Sequence, residues 1–250
     1  MRKALLTAAP LTGVLLLAAT GAAGYSGGPT EEAGAGSRQR AEVGFTDAAP
    51  ARPSAIAERI DYVNPNDRDA KPYAVQRVEL SLSSGSRIRT SVPARCRASD
   101  AELVAEGASA CPRGSRVGRG RLVLDSGSPG PGRFVRNRVK FLNDRREIIL
   151  LTRTTNTPTP QRAVSRGEVG RRSFITTVPP IPGGPPDGFT AVDRVNIRLR
   201  DIAATSRSGH RGYITTPPTC PVSGAWTNRL RFTYRDGVTQ TELTRSACRR

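Results

Sequence analysis

Residues 226–244 read WTNRLRFTYRDGVTQTELT, two alternating runs around an Asp-Gly pair. In the first run Trp226 and Tyr234 stand an even number of residues apart, so their side chains share one face of a strand. Asp-Gly between two such runs is a strong signal for a β-hairpin, because glycine adopts the backbone conformation that a tight turn needs. We therefore predict a hairpin here, with Trp226 and Tyr234 in the core.

Further short extended runs precede the hairpin, at 74–82, 119–125, 133–142, 147–152, 171–178 and 192–199. Residues 147–152 are apolar on both faces, which predicts a central strand. Only residues 99–106 favour a helix, because Ser99 and Glu102 form a capping box and Gly107 is a natural stop. Many strands and one short helix indicate a mainly β protein, an antiparallel sandwich or barrel. We favour a β-sandwich of jelly-roll type.

The N-terminus has the layout of a secretory signal peptide over residues 1–24: a positive M-R-K start, an uncharged apolar stretch and small residues at its end. Pro10 and Gly13 interrupt the apolar stretch, which favours a cleaved signal over a membrane anchor. Residues 25–40 are rich in Gly, Ser and Glu and predict a flexible tether. The remainder, 41–250, predicts one β-sandwich domain. We expect a secreted or extracytoplasmic protein, held at the membrane only if the signal is uncleaved.

Export changes the interpretation of the four cysteines, because an even number of them in an oxidising compartment indicates disulfide bonds. Three pairings are possible. We favour Cys96–Cys111 and Cys220–Cys248, because the first pair brackets the predicted helix and the second encloses the hairpin. Zinc is excluded by spacing, since no C-x₂₋₄-C pair exists. A catalytic cysteine is disfavoured, because a bridged sulfur is not a nucleophile.

Several segments together resemble a family of uncharacterised secreted actinobacterial proteins. These segments are 60–67 followed by Lys71-Pro72, 92–103, 110–118, 212–221, Trp226, and 232–237. The resemblance covers roughly residues 42–248. It implies bacterial export and a single domain with the same two cysteine pairs. The family has no established activity, so the resemblance carries no catalytic residues to this chain.

The chain is strongly basic, with 39 Lys+Arg against 21 Asp+Glu and a formal charge of +18. Such a charge predicts salt-sensitive binding to anionic material, here anionic cell-wall polymer or lipid head groups. Arg far outnumbers Lys and is spread along the chain, which a GC-rich genome would also produce. Arg136, Arg138 and Lys140, on one face of a predicted strand, are the best local candidates for an anion-binding surface. Nucleic acid is disfavoured, because the exported chain lacks a basic-aromatic motif.

An oxygen-rich cluster precedes the first predicted strand and offers a calcium site as one interpretation: Asp61, Asn64, Asn66, Asp67 and Asp69. The alternative is a turn in which these side chains bond their own backbone. EF-hand spacing is absent, so we favour the turn and predict no metal and no cofactor.

His210 is the single histidine, in a polar, glycine-flanked segment, and no motif of a known catalytic class accompanies it. We therefore predict a secreted, non-enzymatic, cell-envelope-associated protein that binds anionic surface polymer. One alternative is a structural or protein-interaction module that uses the Pro-rich loop 178–186. Another is a hydrolase acting on polysaccharide, which would need two neighbouring carboxylates. The oligomeric state is not determined by the sequence.

Overall fold

The computed structural model describes residues 30–32, 36–206 and 209–249. Their regular structure is almost entirely β-strand, with one α-helix, as the sequence predicts. Two short 3₁₀ helices, Gly107–Ala110 and Arg113–Ser115, follow the α-helix. The other elements, in chain order, are β1 (Thr30–Glu32), β2 (Gln39–Phe45), β3 (Ile56–Tyr62), β4 (Val75–Ser81), β5 (Arg87–Ile88), α1 (Asp100–Glu106), β6 (Arg116–Asp125), β7 (Phe134–Asn143), β8 (Glu147–Thr154), β9 (Arg162–Val169), β10 (Ser173–Thr177), β11 (Ala191–Leu199), β12 (Ala203–Ser206), β13 (Gly209–Gly212), β14 (Ile214–Thr215), β15 (Ala225–Tyr234) and β16 (Thr239–Ala247).

The C-terminal hairpin is present and consists of β15 and β16 in antiparallel pairing. Gly237 in its turn has a φ of +90°, a backbone conformation that only glycine adopts at no steric cost. Trp226 and Tyr234 are both buried. The hairpin and the core positions of these two side chains are thereby confirmed.

Twelve strands form one sheet in the order β1-β16-β15-β4-β10-β9-β8-β7-β6-β11-β3-β2. Neighbouring strands run antiparallel, except that β1 runs parallel to β16. The short pairs β12-β13 and β14-β5 lie outside this sheet. The sheet curls until β2, at one end of the order, lies beside β16 near the other, so it is nearly closed.

Side chains of β16, rather than a backbone ladder, join β2 to β16. The carboxylate of Glu242 accepts a hydrogen bond from the amide of Ala41 at 3.1 Å. The hydroxyl of Thr244 donates to the carbonyl of Val43 at 2.7 Å. These bonds satisfy backbone groups of β2 that face away from β3 and would otherwise be left unpaired at a sheet edge.

Strand β8 lies in the middle of the sheet and is covered on both faces, as its sequence predicts. Ile148 and Leu150 point into the main core, which the inner faces of the strands enclose. Ile149 and Leu151 point outward into a second, smaller core with Leu103 of α1. The helix segment therefore acts as a cover over the outer surface of the central strands.

Helix α1 begins after Ser99, whose side chain and that of Glu102 form the predicted capping box. This arrangement satisfies two backbone amides at the start of a helix of only two turns. Both predicted disulfides are present, Cys96–Cys111 with Cα atoms 5.0 Å apart and Cys220–Cys248 with Cα atoms 5.5 Å apart.

The folded part of the chain starts earlier than the predicted boundary at residue 41. Residues Thr30–Glu32, inside the predicted tether over 25–40, pair with β16. Gln39 is buried, and its side chain accepts a hydrogen bond from the hydroxyl of Tyr234. Composition does not reveal this role, because a polar residue near glycines also fits a tether. The predicted signal peptide, 1–24, lies outside the described residues.

Candidate functional site

Strand β7 presents three basic side chains on the outer surface of the sheet. Arg136, Arg138 and Lys140 are exposed, whereas Val139 and Phe141 between and beyond them are buried. Successive residues of a strand point to opposite faces, so the three basic side chains share the outer face. The structure therefore places the predicted anion-binding candidates together.

The strand register brings further arginines beside them. Arg138 stands directly opposite Arg121 of β6 on one side and Arg153 of β8 on the other. Lys140 stands opposite Arg119 of β6, which in turn faces Arg198 of β11. We call the resulting surface the basic face and define it as Arg119, Arg121, Arg136, Arg138, Lys140, Arg153 and Arg198.

Within the described part of the chain, no ion pair joins a side chain of the basic face to a carboxylate. Directly opposed residues in an antiparallel pair have Cβ atoms about 4.5–5.5 Å apart, and like charges at that distance repel. The seven side chains thus form a positive surface that no neighbouring acid neutralises.

The edge of the same outer face shows the opposite arrangement. Asp61 of β3 accepts hydrogen bonds from Arg59 at 2.9 Å and from Arg194 at 2.6 Å. Burial alone would raise the pKa of Asp61, but the hydrogen bonds and charges of Arg194 and Arg59 outweigh it and lower the pKa. The arginines beside Asp61 on β3 and β11 are therefore paired with a carboxylate, whereas those of the basic face have no carboxylate partner among the described residues.

The predicted oxygen-rich cluster forms turns in which its side chains bond the backbone. The side-chain oxygen of Asn64 accepts a hydrogen bond from the amide of Asn66, and its amide group donates to the carbonyl of Lys71. Asp67 accepts a bond from the amide of Asp69. Among the described residues, no three His, Cys, Asp or Glu side chains lie close enough to hold a metal.

A hydrolase would need two neighbouring carboxylates, and carboxylates lie near each other at the end of β6 and the start of β11. Asp125 accepts a two-pronged hydrogen bond from Arg133, and Asp61 is held by arginines as described above. The pKa of Asp193 is raised, first by burial and further by the charges of Asp125 and Asp61. Two of these three carboxylates are thus engaged in ion pairs. His210 lies on β13, opposite Thr205 of β12.

A cavity of about 410 Å³ lies inside the sheet, on the side of β6 to β11. Its walls are mainly the inward Val, Leu, Ile and Phe side chains of these strands and of β3 and β4. The cavity exists because β9 carries only small residues on its inner face over 163–167. Ala163 and Ser165 stand opposite Thr152 and Leu150 of β8, and no large side chain of the described residues fills the space between these strands and the opposite wall.

Glu58 of β3 carries the carboxyl group that lines this cavity. Within the described residues, no hydrogen-bond donor or cation contacts its side chain. Burial disfavours the charged form and raises the pKa of Glu58 to about 7. Tyr62, two pleats along the same strand, has a raised pKa for the same reason and through the charge of Glu58.

The Pro-rich loop lies at the mouth of the cavity, where β8 ends and β9 begins. Val178, Pro179 and Ile181 line the cavity, and Ile181 is also exposed to solvent. A buried ion pair anchors the far side of the loop: Lys71 donates to Asp187 at 2.8 Å, and the two side chains are only 2% and 9% exposed. The Pro-rich loop therefore lies across the opening of the cavity.

Sequence reasoning found three of the seven residues of the basic face. It singled out the Pro-rich loop at the cavity mouth, but it predicted neither the cavity nor the position of Glu58 in it. The sequence does contain a signal for Arg119 and Arg121 that was overlooked: they alternate with glycine in the run 119–125, so their side chains share one face. The contribution of Arg153 and Arg198 depends on the strand order, which is not a local property. No family model, curated protein or solved structure matches this chain. The geometry of the basic face and of the cavity is therefore the basis for assigning function.

Proposed function

We propose that this protein is an exported, non-enzymatic component of the cell envelope that binds an anionic surface polymer through the basic face. One observation carries the proposal: seven exposed basic side chains lie on four adjacent strands with no carboxylate partner among the described residues. A surface of this kind favours the binding of external anions, because they relieve the repulsion between its own charges.

The spacing of the basic face suits a polymer with repeated charges. Adjacent strands lie about 4.8 Å apart, and alternate residues along a strand about 6.7 Å apart, so the cations form a regular grid. Each exposed ion pair contributes little, with a median of about 0–1 kcal/mol. A chain of phosphates or carboxylates can contact several cations at once, so affinity comes from their number and falls with added salt.

The cysteines give further support for export. Both cysteine pairs form disulfides, which indicates an oxidising, extracytoplasmic environment. Together with the signal-peptide layout of residues 1–24, the disulfides support an exported protein. Among the described residues, none of the helices has the length and apolar character of a membrane span.

A sedimentation assay on purified cell wall tests this function. We expect wild-type protein to co-sediment at about 50 mM salt and to be released at about 500 mM, where screening is nearly complete. The triple variant Arg121→Thr/Arg138→Thr/Arg153→Thr should lose at least about tenfold in apparent affinity, since threonine retains strand propensity but carries no charge.

A matched control separates the basic face from net charge. Arg229→Thr/Arg231→Thr/Arg245→Thr removes the same charge from the outer faces of β15 and β16. We expect this control to bind nearly as well as wild type. Equal loss in both triple variants, or no binding of wild type at either salt concentration, would contradict the proposal.

A further inference from the structure

The interior cavity has the volume of a ligand site rather than of a packing defect. Benzene fills an engineered apolar cavity of about 150 Å³, and small-molecule sites typically measure about 300–1,000 Å³. The cavity here, at about 410 Å³, falls within the second range. Close-packed interiors rarely leave unfilled space much larger than a water molecule, so an open cavity of this size between the walls of the sheet requires an explanation.

The shape of the cavity is long and narrow. Val135, Asn137, Val139 and Phe141, four alternate residues of β7, all line it. The first and last are six residue steps apart, which corresponds to about 20 Å along a strand. A volume of 410 Å³ spread over such a length leaves room for a single slender molecule.

The carboxyl group of Glu58 lies in the lining of this mainly apolar space. Holding a carboxyl in apolar surroundings without a hydrogen-bond partner is unfavourable, and no side chain of the described walls donates to it. Glu58 and Tyr62 both line the cavity and stand four residues apart on β3, which is about 13 Å along the strand. A molecule that enters from the mouth can place its polar end at Glu58 and its apolar body against the Val, Leu and Ile walls.

We propose that the cavity binds one elongated apolar molecule whose hydroxyl or amino group donates a hydrogen bond to Glu58. The mouth is where the Pro-rich loop crosses the opening, and Ile181 there is both exposed to solvent and part of the lining. This binding site lies on the other side of the sheet from the basic face, because successive residues of the same strands point to opposite sides. Of the seven residues of the basic face, Arg121 also contributes to the cavity lining.

Displacement of a fluorescent apolar probe, N-phenyl-1-naphthylamine, from the full-length protein tests the proposal. Three competitors share one chain and differ only in the head group: 1-decanol, decylamine and decanoate. At about pH 8, where Glu58 is largely ionised, we expect the two donors to compete at least about tenfold more strongly than decanoate, since hydrogen bonds to a charged group exceed neutral ones. If decylamine competes better than decanol, the natural head group is identified as an amine. If decanol competes better, it is identified as an alcohol.

Two variants separate the roles of the carboxyl group and of the space. Glu58→Leu should keep probe binding and lose the preference for donors over decanoate. Ser165→Leu, which places a larger side chain into the cavity from β9, should weaken all four molecules at least about tenfold. Thr227→Leu adds the same side chain to the outer face of β15 and should bind like wild type. The N-terminal apolar segment is the same in every variant, so differences among them report the cavity.

Circular dichroism of each variant establishes that it is folded. If Ser165→Leu fails to fold, Ala163→Leu places the same side chain into the cavity from the same strand and gives the same test. Failure of wild type to bind the probe, probe binding that survives both filled variants, or a donor preference that survives Glu58→Leu would overturn the proposal. None of these results bears on polymer binding by the basic face, so the two proposals fail independently.

Discussion

The two faces of strands β6 to β8 differ sharply in chemical character. Outside, Arg121, Arg138 and Arg153 stand side by side in water. Inside, the alternate residues Val139 and Leu150 line an apolar cavity. One strand set therefore carries a charged surface and an apolar site, only a side chain's length apart. The two-residue period of a strand is therefore enough to place two surfaces of opposite chemistry on one set of strands.

The largest expected effect comes from truncating the inner face of β7. Phe141→Ala removes a buried ring that is 4% exposed, and we expect the free energy of unfolding to fall by about 3–5 kcal/mol. The outer-face control Arg138→Ala on the same strand should change it by less than about 0.5 kcal/mol. Urea denaturation measures both values. Comparable losses in the two variants would show that the faces are not divided as described.

Glu58 makes the inner face sensitive to pH. Its pKa is raised to about 7 by burial, whereas an unfolded glutamate titrates near about 4.3. The folded protein therefore holds this proton more tightly, and the free energy of unfolding falls as pH rises between these two values, by up to about 3 kcal/mol. The variant Glu58→Gln should show a smaller fall in the free energy of unfolding over the same pH range. Denaturation at several pH values between about 5 and 8 measures it, and a variant with the wild-type slope would refute this assignment.

Filling the cavity should stabilise the ligand-free protein. Ser165→Leu buries apolar surface in space that side chains leave open, and we expect a gain of about 0.5–2 kcal/mol. Thr227→Leu on the outer face of β15 should change the stability by less than about 0.5 kcal/mol. Thermal unfolding of both variants measures the difference. A loss of stability in Ser165→Leu would mean that the wall is too rigid to accept the side chain.

The smallest expected effect is on the outer face. Arg138 lies between two arginines on adjacent strands, so Arg138→Thr should stabilise the fold by about 0.2–1 kcal/mol at low salt. The gain should shrink as salt screens the repulsion. Arg59→Thr, which removes an ion-paired arginine from β3, should show no such gain. Chemical denaturation at two salt concentrations distinguishes them, and salt-independent stability of Arg138→Thr would argue against repulsion.

Local sequence patterns predicted the elements whose apolar residues alternate strongly. The C-terminal hairpin, β4, β6 to β8, β10, β11 and helix α1 were all predictable, as were both disulfides. Strand β9 was not, because its inner face carries Ala163 and Ser165 where the pattern requires large apolar residues. The feature that hides β9 in the sequence is the same one that leaves the cavity open.

Local sequence was enough to establish the mainly β class and the direction of each side chain along a recognised strand, whereas it only favoured one of three cysteine pairings. These depend on neighbours within a few residues, where steric period and turn chemistry act. The three-dimensional fold was needed to show that Arg121, Arg138 and Arg153 adjoin and that Glu58 lines the cavity. Both depend on which strands pair and in what register, and that is set by how all twelve strands of the large sheet pack together.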